Sequence, residues 1–341
     1  MKVLVLAGGL SPERDVSLST GTQVCNALRR IGHEALLLDL FYGLDPLPLD
    51  IDAAFSDKTQ LPPYAIALSN PDLAAVRASR PDSGLGTIGK GVIELCRAAD
   101  IVFLALHGEP GECGMVQAMF DMMEIPYTGA GYFGSALAMD KAVSKELFVR
   151  AGIPTPDCVV LRKGQRAAYS FPSIVKPCSN GSSIGVKKAF SQAQLDEAVD
   201  EAFRYEDVIL VERFHQGREF TCGVLGREVL PPAEVIPKGD FYDYAHKYQN
   251  GLITEICPAR ISEEMRSSLC ELSLRVFDAL CLSGYARMDF IYDESDGKFY
   301  CLEANTLPGL TPTSHLPQMA KAVGMSYEAL CMKIIDLALA K

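Results

Sequence analysis

The residues best suited to chemistry lie close together near the end of the chain, in YARMDFIYDESDGKFYCLEANTLPG, Tyr285 to Gly309. Side chains on a strand alternate between faces, so Arg287 shares a face with Asp289, and Glu303 with Asn305. Met288 and Phe290 take the other face of the first strand, as Leu302 and Ala304 do on the second. The Asp-Gly pair between the two runs signals a hairpin. A three-residue loop, Ser295-Asp296-Gly297 with Gly297 left-handed, sets Asp289 opposite Glu303 and Arg287 opposite Asn305. Carboxylates held that close repel unless positive charge lies between them. Two carboxylates and an amide are oxygen ligands for a hard cation, and Mg²⁺ usually comes with phosphates. An ion pair or polar network on a solvated sheet face would leave the same pattern.

A second stretch, VKPCSNGSSIGVKK, runs from a strand through a Gly-Ser loop into another strand, with Lys176 leading in. Small residues let backbone N–H groups approach phosphate oxygens, and hydroxyls add donors. A plain flexible hairpin has the same composition. ILVERFHQGREF places Glu212 just after a strand and Glu219 seven residues on. Such a linker can offer backbone to an adenine edge and a carboxylate to ribose, or it can be a solvated hinge. His107, in ALHGE, ends a parallel strand, where open α/β sheets bind ligands. GLGTIGKG, Gly84 to Gly91, nearly matches a Walker A loop. However, Gly91 replaces the Ser/Thr that would bind Mg²⁺, and no buried strand precedes it, so no phosphate role is expected there. LAGG at Leu6–Gly9 lacks the dinucleotide fingerprint.

These groups need elements to hold them. KVLVLA, EALLLDL and DIVFLALHG read as buried strands, alternating with helices marked by Val24, Ala27, Leu28 and Ile31, closed by Gly32, and by Val116, Met119, Phe120 and Met123. That alternation predicts a parallel sheet covered on both faces. Phe41 to Lys90 reads as an elaborated connection. Ser135 is expected to cap a helix running to Gly152, which puts Lys141 and Lys145 one turn apart on one face. Ser191 and Gln194 form a capping box for the next helix. DVILVERF reads as another strand, others follow near 219–225 and 229–235, then a helix from about Ser262 to Cys281, then the hairpin. The expected fold class is α/β and α+β in three domains, 1–135, 136–212 and 213–341.

Composition narrows the function. The chain has 341 residues, 48% hydrophobic and 22% charged, with net charge −11. Such acidity argues against nucleic-acid or anionic-membrane surfaces, though not against a local basic pocket. Eleven cysteines, odd in number and without a CxxC pair, fit a reduced cytoplasmic protein rather than a disulfide framework. No apolar run approaches membrane-spanning length. The opening MKVLVLAGGLSPERD reads as a first strand, not a signal peptide.

Taken in order, SPERDVS, ALHGEPGECG, YTGAGYFGSALAMDK, VKPCSNGSSIG, VERFHQGREFT, FYDYAHKYQN, ARMDF and LEANTLPGLTPTSHLP resemble an ATP-grasp enzyme, and more narrowly a D-alanine–D-alanine ligase. The resemblance spans nearly the whole chain and is weakest from about Phe41 to Asp100. It implies ATP bound between two antiparallel sheets, with Lys141 and Lys176 at its phosphates and adenine side. The Gly181–Gly185 loop, including Ser183, would cover the phosphates, and Lys247 would reach the γ-phosphate. Glu212, with the backbone near Arg213 and His215, would hold adenine, and Glu219 ribose. Asp289, Glu303 and Asn305 match ligands of two Mg²⁺ ions, with Mn²⁺ able to substitute.

The resemblance also implies substrate roles. Glu13 matches the anchor of the first D-alanine's ammonium, and His107 lies at the substrate site. Arg287 and the Gly309 N–H match oxyanion stabilisers. Tyr248 and Ser182, with Glu13, match a latch that closes the loop from about Asp240 to Leu252. Ser314 matches the group binding the second substrate's carboxylate. The product would be D-alanyl-D-alanine for peptidoglycan synthesis, and cell wall and cell shape would depend on it. The enzyme would be cytoplasmic and homodimeric. Three positions depart from the pattern. His315 stands where an apolar residue is common, near the second substrate's methyl, and keeps D-serine or D-lactate open as second substrate. Tyr248 favours amide formation. Cys113 replaces a usual aspartate, and Arg260 stands where a small residue is common. A catalytically idle ATP-binding protein is the rival from another class, and the intact metal ligands argue against it.

Overall fold

The computed structural model describes the chain except for residues 68, 69, 81–83, 85, 180, 182–184, 238–252 and 341, and the side chains of 237 and 253. Three sheets organise it. The first is parallel, β1 (Lys2–Ala7) between β2 (Glu34–Asp39) and β3 (Ile101–Leu104). Its apolar runs are buried: Val3 to Ala7 and Ile101 to Phe103 are fully enclosed. Helix α1 (Arg14–Arg30) packs on β1 and β2 and ends before Gly32, whose φ of +91° is the left-handed conformation expected of a helix stop. The connection from Phe41 to Lys90 holds a 3₁₀ turn (Ile51–Phe55) and α2 (Leu73–Ser79). Asn26, Asp15 and Arg29 of α1 hydrogen-bond Leu61, Tyr64 and Thr59, so this irregular segment is tied to the helix by polar side chains. Helices α3 (Val92–Ala98) and α4 (Met115–Met122) complete the layer.

The expected single helix from Ser135 to Gly152 is two helices, α5 (Tyr132–Met139) and α6 (Lys141–Arg150). Ser135 lies inside α5. Asp140 breaks the run instead: it is extended, and its carboxylate accepts from the N–H groups of Ala142 and Val143 at 2.9 and 3.1 Å. An aspartate just before a helix competes better for free N–H groups than a serine already in mid-helix. The second sheet, antiparallel, runs β4 (Cys158–Arg162), β7 (Val208–Arg213), β5 (Ser173–Pro177), β6 (Lys187–Ala189), with α7 (Gln192–Ala202) on one face. Ser191 caps α7, while the Gln194 side chain accepts from the Phe190 N–H, one residue before the expected partner. This unit has its own core, including Leu161, Val175, Leu195 and Val211.

The third sheet runs β11 (Ile253–Ile256), β10 (Ala233–Pro237), β8 (Gly217–Leu225), β12 (Tyr285–Asp293), β13 (Lys298–Asn305), with β9 (Glu228–Val229) pairing β8. The strand expected at 229–235 is thus two short strands. Helix α8 (Glu263–Ala279) covers the apolar face, where Met288, Phe290, Phe299 and Cys301 are buried. Phe148 of α6 joins this same core. Helices α9 (His315–Ala322) and α10 (Tyr327–Leu339) turn back on the first layer, and Leu330 and Ile334 share one core with Val24 and Leu28.

The hairpin differs from expectation in a way that cancels. Its loop has four residues, Glu294 to Gly297, since Asp293 pairs with Lys298. Gly297 is left-handed, at φ +69°. A bulge then shifts the register, so that Phe290 faces Cys301 but Asp289 faces Glu303. Leu302 is the extra residue and lines the cavity beside Glu303 instead of pointing to the core. The bulge reverses parity: Cys301 is buried in the core, while Glu303, two residues on, faces the site.

Candidate active site

The second and third sheets and the first layer enclose a cavity of about 1440 Å³. Most of the expected residues reach it. Glu13 comes from the turn before α1 and His107 from the end of β3. Lys141 opens α6, Lys176 lies on β5, and Glu212, His215 and Glu219 come from β7, the linker and β8. Arg287, Asp289, Glu303 and Asn305 line it from the hairpin, and Gly309, Ser314 and His315 from the turn beyond. Arg213 stands apart: its side chain is exposed and its N–H donates to the Asp157 carbonyl. Ser182, Ser183, Lys247, Tyr248 and the 240–252 loop lie outside the described residues.

Register makes the centre. Asp289 pairs across to Glu303 on one side and Thr221 on the other, and Arg287 pairs with Asn305, so all five project from one face. Arg287 grips Asp289 with two nitrogens, at 2.9 and 2.8 Å. The Thr221 hydroxyl donates to Asp289 at 2.7 Å and the Asn305 amide at 3.0 Å. Lys141 Nζ sits 3.1 Å from Glu303 Oε2. Burial works to raise the Asp289 carboxyl, but Arg287 outweighs it and the net shift is down. Burial likewise works to lower Lys141, and Glu303 overrides it. Asp289 is therefore held in its charged form, and with Glu303 opposite it the face attracts cations. Because Asn305 donates through its amide nitrogen, its carbonyl oxygen is left for a cation. Two carboxylates and an amide oxygen on one face fit Mg²⁺. Among the described residues no three His, Cys, Asp or Glu converge as a metal set. The remaining ligands must then come from elsewhere, as phosphate oxygens would supply.

Deeper in, Glu212 Oε1 lies 2.9 Å from Lys176 Nζ and 3.1 Å from Lys145 Nζ. Neither approach meets hydrogen-bond geometry at that oxygen, so charge more than direction holds the group. Burial alone would raise the Glu212 carboxyl, and the two lysines reverse the shift. Lys145 also donates to Thr155 at 2.7 Å, which fixes its position. His215 is held by Asp293 at 2.8 Å and stacks on Tyr300.

At the other end, Glu112 accepts from the Gly108 N–H at 2.8 Å and from the Leu307 N–H at 3.3 Å, so one carboxylate joins the loop after β3 to the turn after β13. Burial, then the charge of Glu13, pushes its carboxyl up to about 7. Burial holds the His107 imidazole below its usual range, against Glu13. A Cβ added to Gly181 would lie 3.2 Å from Glu13 Oε2, so Gly181 meets the first layer here. Ser314 Oγ accepts from the Thr311 N–H at 3.1 Å and would lie 3.0 Å from a Cβ on Gly309. In Gly84–Gly91, Gly89 and Gly91 serve packing: a Cβ on Gly89 would lie 2.4 Å from the Gly43 nitrogen, and one on Gly91 2.6 Å from the Leu44 carbonyl oxygen.

The chain matches the family model described as D-ala D-ala ligase N-terminus over residues 2–130, and the one described as D-ala D-ala ligase C-terminus over 147–336. The chain belongs to the D-alanine–D-alanine ligase family. The D-alanine–D-alanine ligase of Pediococcus pentosaceus is 41% identical, across 98% of this chain and 97% of its own length. That of Lacticaseibacillus casei is 38% identical, across 98% and 95%. The crystal structure of the Bacillus anthracis ligase superposes with a TM-score of 0.76 at 29% identity, covering 100% of this chain and 98% of that one. The same enzyme complexed with ATP gives 0.75 at 26%.

Sequence reading overlooked four residues of this ligase's cavity region. Thr221 shares strand parity with Glu219, a signal available from β8. Lys145 stood one turn from Lys141 without an assigned role. Glu112 is the second glutamate of HGEPGEC, masked by attention to Cys113, whose thiol donates weakly to the Pro110 carbonyl. Glu255 lies on β11, and no periodicity announces that short strand. It holds His315 Nδ1 at 2.8 Å and accepts from Gln318 at 3.1 Å.

Proposed function

We propose that this ligase joins two D-alanine molecules through an acyl phosphate, with ATP as phosphoryl donor. The observation that supports it most is the polar face shared by Arg287, Asp289, Glu303 and Asn305, opening on the same cavity as Lys141, Lys176 and Glu13. A carboxylate oxygen of the first D-alanine attacks the γ-phosphorus, and ADP leaves. The amine of the second attacks the acyl carbon, loses a proton, and phosphate leaves. Two anions must meet in the first step, which demands cations. Asp289, Glu303 and Asn305 would hold two Mg²⁺, or Mn²⁺ in substitution, which supplies charge neutralisation at the phosphates. Lys141 and Lys176, with Lys247 and Ser183, take phosphate oxygens; Glu212, His215 and the backbone at Arg213 take adenine, and Glu219 ribose.

Glu13 holds the first ammonium, with His107 beside it, and Ser314 holds the second carboxylate. Arg287 and the Gly309 N–H face the oxyanion, where donors placed in advance act most strongly. Tyr248 and Ser182, with Glu13, close the loop and exclude water that would hydrolyse the acyl phosphate. The domains divide at 1–135, 136–212 and 213–341. The enzyme is a cytoplasmic homodimer that supplies peptidoglycan precursor. No helix among the described residues is long and apolar enough to cross a membrane. The test is ADP release with ATP, Mg²⁺ and D-alanine, with D-serine or D-lactate added in turn. Release that requires D-alanine supports the reading; D-alanine-independent release, or none, refutes it.

A further inference from the structure

Glu255 and His315 form a pair that the nucleotide and metal roles do not use. Glu255 projects from β11, opposite Val235, on the face of the sheet that carries Glu219 and Asp289. Its Oε2 takes His315 Nδ1 at 2.8 Å and the Gln318 amide at 3.1 Å, which fixes the carboxylate and the imidazole together. Its Oε1 is buried with no hydrogen-bond partner among the described residues. His315 Nε2 has no partner among the described residues, and both side chains line the main cavity next to Ser314. Glu255 is also the one charged group among the described residues within ion-pair distance of the imidazole.

We propose that the Glu255–His315 pair accepts the proton released by the amine of the incoming second substrate. The inference rests on the ligase reading above. An amino acid arrives as an ammonium, which has no lone pair to attack with. A proton must leave nitrogen as the N–C bond forms, and Nε2 takes it while Nδ1–H stays on Glu255. A carboxylate on Nδ1 orients an imidazole and stabilises the imidazolium that results. The buried, unbonded Oε1 strengthens that preference, because a partly satisfied carboxylate gains most from a neighbouring positive charge.

The test uses D-alanines carrying one, two or three fluorines on the methyl as second substrates. Fluorination makes their ammonium groups progressively more acidic, so the need for a base falls along the series. Glu255→Gln and His315→Asn should slow kcat with D-alanine about a hundredfold, a usual share for general-base catalysis, with KM for the second substrate nearly unchanged. The deficit relative to wild type should shrink to less than about tenfold with the trifluorinated substrate. Hydroxylamine trapping of the acyl phosphate should stay at the wild-type level, which also shows that both variants fold and carry out the first step. A constant deficit along the series, a rise confined to KM, or no deficit overturns the proposal. Failure of the wild type to form hydroxamate would instead refute the ligase reading.

Discussion

Single residues decide the charge balance of the site. Glu303 faces Asp289 across the ladder and takes Lys141 in the ligand-free geometry. Its replacement by glutamine keeps the shape and removes the charge. We expect Glu303→Gln to lower turnover by roughly two orders of magnitude or more, the scale of losing a key electrostatic group, with the fold intact; near-normal turnover in saturating Mg²⁺ would contradict the metal role. Glu112 gives a prediction about stability. Its carboxyl is pushed up to about 7 by burial and then by Glu13. The folded chain therefore keeps a proton that an unfolded glutamate has already released, and this term favours the fold at low pH and fades as pH rises through about 7. Glu112→Gln removes the titration. The ligand-free variant should lose less Tm than wild type between about pH 5 and pH 8. Parallel Tm profiles would show that the carboxyl titrates normally.

At the scale of elements, capping and register place the charged groups. Asp140 starts α6, and α6 carries Lys141 to Glu303 and Lys145 to Glu212. Asp140→Ala should cost about 1 kcal/mol of stability, the usual loss for an N-cap, and should weaken nucleotide binding as both lysines loosen. Unchanged affinity by calorimetric titration would mean that the lysines are held without the cap. The same elements show what was legible in advance. The opposition of Asp289 to Glu303 rested on alternation together with a three-residue loop, and it holds although the loop has four residues. The loop length and the bulge at Leu302 were not legible, because each shifts register by one and they cancel at the residues that matter. The Ser135 cap was misplaced because Ser135 lies inside α5, and Asp140 starts a separate helix by accepting from the N–H groups of Ala142 and Val143. Helices α9 and α10 and strand β11 went unmarked, and with β11 went Glu255, whose partner His315 was seen only as a departure from a pattern.

For the whole molecule, the order of domains in sequence is not the order of cores. Helices α9 and α10 follow the hairpin, yet Leu330, Cys331, Ile334 and Ile335 are buried against the first layer. Arg30 of α1 meets Glu328 of α10 at 2.7 Å. Each large apolar side chain among them contributes roughly 1.5–3 kcal/mol. Removing residues 326–341 should therefore speed hydrogen exchange in β1 and β2, far away in sequence, and leave β5 and β7 protected; the reverse pattern would contradict a shared core. The proposed nucleotide site lies between the two antiparallel sheets. Lys176→Ala should weaken ATP binding and Lys90→Ala should not, since Lys90 pairs with Asp45 away from the cavity; equal losses would reverse that assignment. The most direct test of the acyl-phosphate route follows the oxygen atoms. With D-alanine labelled with oxygen-18 in its carboxylate, the account predicts that each turnover releases inorganic phosphate carrying one labelled oxygen, together with ADP and the dipeptide. Dipeptide formed with unlabelled phosphate would contradict it.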